Sequence, residues 1–539
     1  LNYGMQAEKY IPAPETGSMI VICYDAFAPA IQPFVDWKNQ SGLPTTMYLL
    51  SQVGSTAEQV SSFIAARYNA STSPKLAFVL LVGDAEQMPT PYSQTSAADP
   101  TYGKIVGADW YPEIFIGRFS AENYQQAQTQ ALRSIDYEKS LLPAGGDWCG
   151  LGTGIGSQFG PGDDGEFDYQ HIANIRTKLL NYGYTSVDTL YGAPATAAQV
   201  TAALLEGRSI INYTGHGSQN AWGTTGFSSI DVAALENDNR LPFIISVACV
   251  NGRFPGGACF AEAWLRATHN GSPTGAVAAY MASNNQPWNP PMAAQDEAVD
   301  LLVQDRARTF ASLCFNGSCQ MIDEYGVDGA STFNAWHIFG DPSLRVRTKP
   351  PVGIVATHPD SISVGTASVE VMTNCPGAIC GLAVGGVYFG SGVADSSGTA
   401  AVAVTGALGG GENLTLTITG YNRIPYIAPI EVRPLPALIV APTTFHISVQ
   451  REAVVTDTLR LINFGGATDS LPFRLTVFTQ GENGFLSLGA DSGMIAYGDT
   501  ATVQVYFSAQ TLPAGNYNSL IRVAYNLLQT TSVTVGFHV

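Results

Sequence analysis

Two short stretches set a nucleophile and a base at the ends of apolar runs. Ser209-Ile-Ile-Asn-Tyr-Thr-Gly-His216-Gly217 places an imidazole between glycines, and Leu241-Pro-Phe-Ile-Ile-Ser-Val-Ala-Cys249-Val-Asn-Gly252 ends a second run on a thiol. A thiolate that attacks a carbonyl needs a base to generate it and backbone donors for the oxyanion that forms. Strand ends that open into glycine-rich turns deliver all three, because glycine lets the backbone approach a substrate closely. In an open parallel sheet both ends fall on one edge, where ligands bind. Taken singly, each residue has a duller explanation, the Cys as a small buried hydrophobe and the His as a satisfied structural residue. Together they point to a Cys-His dyad.

The elements that must carry such a pair can be read from the pattern. Between Ser18 and about Arg347, apolar runs at 19–23, 44–50, 76–82, 113–116, 209–213 and 243–247 alternate with helical periodicity at 33–39, 57–68, 121–138, 169–182, 197–205 and 260–268. Runs that are nearly all apolar suit a parallel sheet covered on both faces, so an α/β catalytic domain of two halves is expected, 1–145 and 146–349, with the dyad in the second and the Gly/Pro-rich 142–165 stretch as their seam. After Lys349-Pro-Pro the pattern changes to short alternating strands and glycine turns. Two all-β immunoglobulin-like sandwich modules are expected there, 350–434 and 435–539, joined at Pro434-Leu-Pro436. Neither carries a catalytic constellation, so both read as spacers or adhesive modules, with a secretion or attachment role open for the last.

Composition narrows the class of function. Only 13% of the 539 residues are charged, against roughly 25% in an average soluble protein, which leans toward an extracellular, secreted or cell-surface setting. A net charge of −18, with 25 Lys and Arg spread thinly, leaves no basic stripe for phosphates and excludes nucleic acid as the expected partner, while favouring basic substrates. No run of about 18 apolar residues is present, so a soluble monomer without a membrane span is expected. The start at Leu1 reads as a processed form whose signal segment has gone. Of the eight cysteines, Cys375 and Cys380 flank Pro-Gly-Ala-Ile between strand-like runs and suit a disulfide across that turn. Cys314 and Cys319 share the spacing, but the 297–325 segment reads as helix, which holds residues five apart at about 8 Å, so these two are expected to stay reduced.

An apolar strand with His-Gly followed by one with Ala-Cys is the pattern of caspase-like cysteine peptidases, and over 34–348 the sequence resembles the gingipains more specifically. The matching stretches include Phe34-Val-Asp-Trp-Lys-Asn-Gln40, Leu80-Leu-Val-Gly-Asp84, 102–120, 211–223, 241–254, Cys259-Phe-Ala-Glu262, Gln295-Asp-Glu297 and Phe339-Gly-Asp-Pro-Ser-Leu344. The resemblance implies a caspase-like two-part catalytic domain followed by an immunoglobulin-like domain, and cleavage of proteins or peptides after Arg or Lys, with no organic cofactor. By position, Cys249 is similar to the nucleophile, His216 to the general base, and the backbone N–H groups of Gly217 and Cys249 to the oxyanion hole.

A buried guanidinium needs a charged, ideally bidentate acceptor. Asp168 falls where the gingipains place that S1 carboxylate, Trp288 resembles the aromatic wall beside it, and Gln286 and Met292 match neighbouring pocket positions. Residue by residue, the alternative for Asp168 is an acidic opening to the helix at Tyr169, and for Trp288 it is core packing. One departure stands out: the gingipains carry an acidic residue about ten positions before the pocket aspartate, and here Ser157-Gln158 occupies that stretch, leaving the third catalytic member unassigned. Calcium is the one metal expected, through Asp84, Asp99, Asp109 and Glu113, whose alternative is as loop carboxylates in water; Asp341 reads as a turn residue. The reading that leads is an Arg-directed cysteine endopeptidase. Its rivals are a surface signal peptidase of the same fold and an inactive surface adhesin.

Overall fold

A computed structural model describes residues 10–139, 143–433, 437–464, 470–479, 484–526 and 529–539. The expected join at Pro434–Pro436 and residue 142, the first of the expected seam, lie outside them. Ten strands form one sheet: β1 (Ser18–Cys23), β2 (Thr45–Leu49), β3 (Leu76–Val82), β4 (Phe115–Phe119), β5 (Leu151–Gly156), β6 (Ser186–Tyr191), β7 (Ile210–Thr214), β8 (Phe243–Val247), β9 (Ala278–Ala282) and β10 (Trp336–Phe339). Their order is β2-β1-β3-β4-β10-β9-β8-β7-β5-β6. The first five run parallel, the last five run parallel, and the two sets meet at the antiparallel pair β9 and β10. Because β10 comes from the end of this region and lies beside β4, the closing strand of the chain's second half completes the sheet of the first.

Every residue of β3, β4, β7, β8 and β9 is buried, as continuous apolar strands covered on both faces require. The covering helices are α1 (Ala28–Gln40), α2 (Ala57–Ala70), α3 (Tyr124–Lys139), α4 (Asp168–Tyr182), α5 (Ala197–Glu206), α6 (Phe260–Arg266), α7 (Asn289–Val303), α8 (Phe310–Tyr325) and α9 (Val327–Asn334). Thr56 and Thr196 start α2 and α5 as capping boxes with Gln59 and Gln199, which satisfies backbone donors that a helix start leaves open. The helix expected over 297–325 is two helices. Asp305 adopts a left-handed φ of 55°, and Thr309 then accepts from the N–H of Ser312 to cap α8. Within α8, Gly317 lets the helix press against α7, since a Cβ there would sit 2.6 Å from the Ala294 carbonyl. Cys314 and Cys319 lie buried as free thiols in this unbroken helix.

The chain divides into two compact units, one of residues 1–357, 371–402 and 416–427, the other of residues 358–370, 403–415 and 428–539. Within the second, residues 438–538 form a four-stranded and a five-stranded sheet with buried Phe445, Leu461, Phe473, Val505, Ile521 and Phe537 between polar outward positions. Cys375 and Cys380 are free and buried rather than bridged: the turn between them closes through the backbone, Ala378 N–H donating to the Cys375 carbonyl at 3.0 Å. Among the described residues no helix is long and apolar enough to cross a membrane.

Candidate active site

Strand register brings the two reactive side chains together. Thr214 of β7 pairs with Val247 of β8, and Gly215 N–H continues the ladder to the Val247 carbonyl at 3.1 Å. His216 and Cys249 each stand two residues beyond that pair, at one carboxyl edge, and line the same pocket. The glycine after His216 is required by space: a Cβ at Gly217 would sit 2.6 Å from the Cys249 carbonyl oxygen and 2.9 Å from the Ala248 methyl. The residue after Cys249 is strained, Val250 holding a φ of 52° that a β-branched side chain resists. The turn is held by hydrogen bonds from Val250 N–H to the Asn284 carbonyl at 2.9 Å and from Gly252 N–H to the Ala282 carbonyl at 2.7 Å. A buried chain of polar groups then ties the two loops: Trp222 donates to Ser246 at 3.0 Å, Ser246 to Asn251 Oδ1 at 3.1 Å, and Asn251 to the Ser218 carbonyl at 2.6 Å. Cys249 is partly exposed, its Sγ 3.9 Å from the Gln286 carbonyl, and the other seven cysteines are buried.

Asp168, Gln286 and Trp288 line the pocket with the dyad. Asp168 opens α4, as a helix-start reading requires, yet its side chain is fully buried; Ser157 Oγ donates to Oδ2, and Trp288 Nε1 donates to Oδ1 at 2.9 Å. Burial pushes this carboxyl above its ordinary range, against the pull of those hydrogen bonds and of the nearby His171 and His216. Trp288 precedes α7 and is half-buried rather than core. Met292, one turn into α7, is buried behind it, and Gly162 lies so close that a Cβ would meet Met292 Sδ at 2.3 Å and the Trp288 ring at 2.6 Å. Gln286 donates to Asn284 at 2.7 Å, while its Oε1 is buried and has no partner among the described residues.

Two residues of the Ser157-Gln158-Phe159 segment do things its sequence did not announce. Ser157 braces the pocket carboxylate, whereas the Gln158 side chain lies over Gly192. Phe159, 57% exposed, meets the His216 ring edge-on with centroids 4.7 Å apart. His171 and Gln295 were also missed. Gln295 is fully buried; it accepts from Thr214 Oγ1 at 2.7 Å, pairs with His171 Nε2 at 3.0 Å and donates to Asn212 at 3.1 Å, bolting the end of β7 to α4 and α7. Burial disfavours a charged His171, but Asp296 and Glu166, 3.3 and 3.7 Å from its Nδ1, outweigh that and raise its pKa to about 9. The signal available in the sequence was a Gln amid the apolar face of α7.

The four carboxylates expected to hold calcium do not fit a calcium site. A hard cation needs six to eight convergent oxygens. Asp99 instead gives both oxygens to Arg118, at 2.6 and 2.9 Å, Asp84 pairs with Arg266 at 3.1 Å, Glu113 accepts the Ile105 and Val106 N–H groups, and Asp109 accepts from Tyr111. Among the described residues no three His, Cys, Asp or Glu side chains are grouped to hold a metal. Asp341 accepts from Ser343 as a turn residue and also meets Lys38 at 2.6 Å.

Comparison with known proteins identifies the family of the chain. Residues 12–347 match peptidase family C25, and residues 357–433 match the C-terminal Ig-like domain of that family. The chain is 40% identical over 447 residues to Gingipain R1 of Porphyromonas gingivalis, covering 81% of this chain and 44% of that protein. It is 39% identical over 443 residues to Gingipain R2 of the same organism, covering 80% and 60%, and 26% identical over 449 residues to its Lys-gingipain HG66, covering 77% and 25%. The chain therefore spans less than two thirds of the length of these curated relatives. The crystal structure of the Arg-specific cysteine proteinase gingipain R superposes with a TM-score of 0.76 at 39% identity, over 78% of this chain and all of that one.

Proposed function

The chain belongs to peptidase family C25, and from that premise we propose that it is a cysteine endopeptidase cleaving proteins and peptides after basic residues, Arg above Lys. The observation that carries this reading is the buried, braced Asp168 in the same pocket as Cys249 and His216. His216 takes the Cys249 proton, the thiolate attacks the scissile carbonyl, and the backbone N–H groups of Gly217 and Cys249 receive the oxyanion. His216 then protonates the leaving amine, and water hydrolyses the acyl-enzyme. The P1 guanidinium meets Asp168 at the pocket floor with Trp288 along its stem, and the open Gln286 Oε1 is a further acceptor for a guanidinium N–H. Arg is favoured because the chain is 40% identical to an Arg-gingipain and 26% to a Lys-gingipain. An extracellular setting fits the low charge content.

Matched fluorogenic peptides with Arg, Lys, Leu or Asp at P1 test the proposal. Arg peptides are expected to be cut first, Cys249→Ala to be silent, and Asp168→Ala to lose the preference for Arg. Equal cleavage after Leu would favour a signal-peptidase role, and no cleavage after reduction would favour the adhesin.

A further inference from the structure

The His216 backbone is fixed, its carbonyl accepting from Tyr213 Oη at 2.6 Å and from Gly223 N–H at 2.8 Å. Its ring is not. Among the described residues no side chain hydrogen-bonds to the imidazole, and the χ2 torsion of a histidine has broad, soft wells. A general base acts through one nitrogen aimed at the nucleophile, so something must set the ring plane. Two aromatic rings flank it. Phe159 stands edge-on at 4.7 Å with the planes 65° apart, and Trp288 stands edge-on at 5.3 Å with the planes 87° apart. Phe159 and Trp288 also meet each other, at 6.5 Å.

We propose that Phe159 is a positioning residue for His216, orienting the imidazole by ring packing where other bases are oriented by a hydrogen-bonded carboxylate. The inference rests on His216 being the base of the endopeptidase reading. The loop is built to hold this ring in place. Ser157 N–H donates to the Thr214 carbonyl at 3.1 Å, two residues before His216, and Tyr169 N–H returns to the Ser157 carbonyl at 3.0 Å. Phe159 N–H donates to Ser157 Oγ at 3.0 Å and its carbonyl accepts from Asp168 N–H at 3.0 Å. Phe159 is thus braced by Asp168, whose carboxylate lines the pocket, and by Ser157, which donates to that carboxylate and is tied to the strand that carries His216. With 57% of its surface exposed, it gains little from burial, so its place over the imidazole is not explained by core packing. Edge-to-face contact is a preferred aromatic geometry, and two such contacts leave the ring one plane.

The test is Phe159→Ala, Phe159→Leu and Phe159→Tyr in the whole chain, read by steady-state cleavage of a P1 Arg peptide and by the pH dependence of Cys249 alkylation with iodoacetamide. Misplacing a catalytic group by about 1 Å costs up to roughly 100-fold, so Phe159→Ala is expected to lower kcat by about 10- to 100-fold with KM held within about 2-fold. Its alkylation profile shifts, Phe159→Tyr restores both, and Phe159→Leu falls between. A rise in KM at unchanged kcat would make Phe159 a wall for substrate and overturn the proposal, as would an alkylation profile in Phe159→Ala that superimposes on the wild type. If the wild type cleaves nothing, the endopeptidase reading fails, and the alkylation profiles still decide the role of Phe159.

Discussion

Asp168 and His171 lie three residues apart on α4 and are both shifted upward, which disfavours the charged form of the carboxyl and favours that of the imidazole. A carboxyl raised by burial is charged only above its raised pKa. The affinity for P1 Arg is therefore expected to weaken on acidification sooner than an ordinary carboxylate allows, seen as a KM that climbs for Arg peptides and stays flat for Leu peptides. His171 rises from 6.5 to about 9, so its contribution to stability is full below pH 6.5 and is lost as pH rises through 9. That difference corresponds to the order of 3 kcal/mol. Urea unfolding is expected to need less denaturant at pH 9.5 than at pH 6.5, with the difference shrinking in His171→Gln. His216 and Cys249 were legible because each follows an apolar run, whereas Asp168 was placed in the pocket only by the resemblance to the gingipains. His171 and Phe159 were not legible, because their work depends on neighbours contributed by α7 and by a loop, which spacing along the chain does not reveal.

At the scale of elements, the pocket is made by three strand ends and two helix starts. β5, β7 and β8 supply Ser157, His216 and Cys249 just beyond their last residues, while α4 begins with Asp168 and α7 follows Trp288. Gly217 is the tightest joint in this arrangement. Gly217→Ala drives a methyl against the Cys249 carbonyl, 2.6 Å away, and displaces the backbone N–H groups proposed to receive the oxyanion. A loss of at least about 100-fold in kcat is expected, the cost of one missing oxyanion donor, with little change in far-ultraviolet circular dichroism. Alternating periods made these elements readable, as did glycines at the strand ends. The split of the 297–325 helix was hidden because Asp305 and Thr309 look like surface positions until Asp305 takes a positive φ and Thr309 caps α8. The disulfide expected across the 375–380 turn failed for a related reason: a closed turn needs only its backbone hydrogen bond, not the bridge.

For the whole molecule, the same economy explains how a first half without catalytic side chains serves the second. Arg118, fully buried on β4, grips Asp99 with two nitrogens, donates to the Gly83, Met88 and Pro89 carbonyls, and stacks 4.7 Å from the ring of Phe254, five residues after Cys249. Burial alone would raise the Asp99 carboxyl, but Arg118 holds it well below the usual carboxylate range. Asp99 was read as a calcium ligand because sequence shows a carboxylate without showing its cation. Removing one partner of a buried pair costs about 3–5 kcal/mol, so Arg118→Met is expected to lower the unfolding midpoint steeply, and Arg118→Met with Asp99→Leu to recover part of it. The α/β region and the all-β tail were legible from hydrophobic period alone. The interleaving of β10 into the first half of the sheet was not, since pairing across some 220 residues leaves no local trace.

The central claim, that Cys249 is the nucleophile of an Arg-directed site, is tested most directly by treating the reduced chain with a peptidyl-arginine chloromethyl ketone and its leucine counterpart, then mapping the label by mass spectrometry. Modification of Cys249 alone, by the arginine reagent and lost in Asp168→Ala, is the expected result, because the other seven thiols are buried. Equal labelling by the leucine reagent, or a label on any other cysteine, would contradict it.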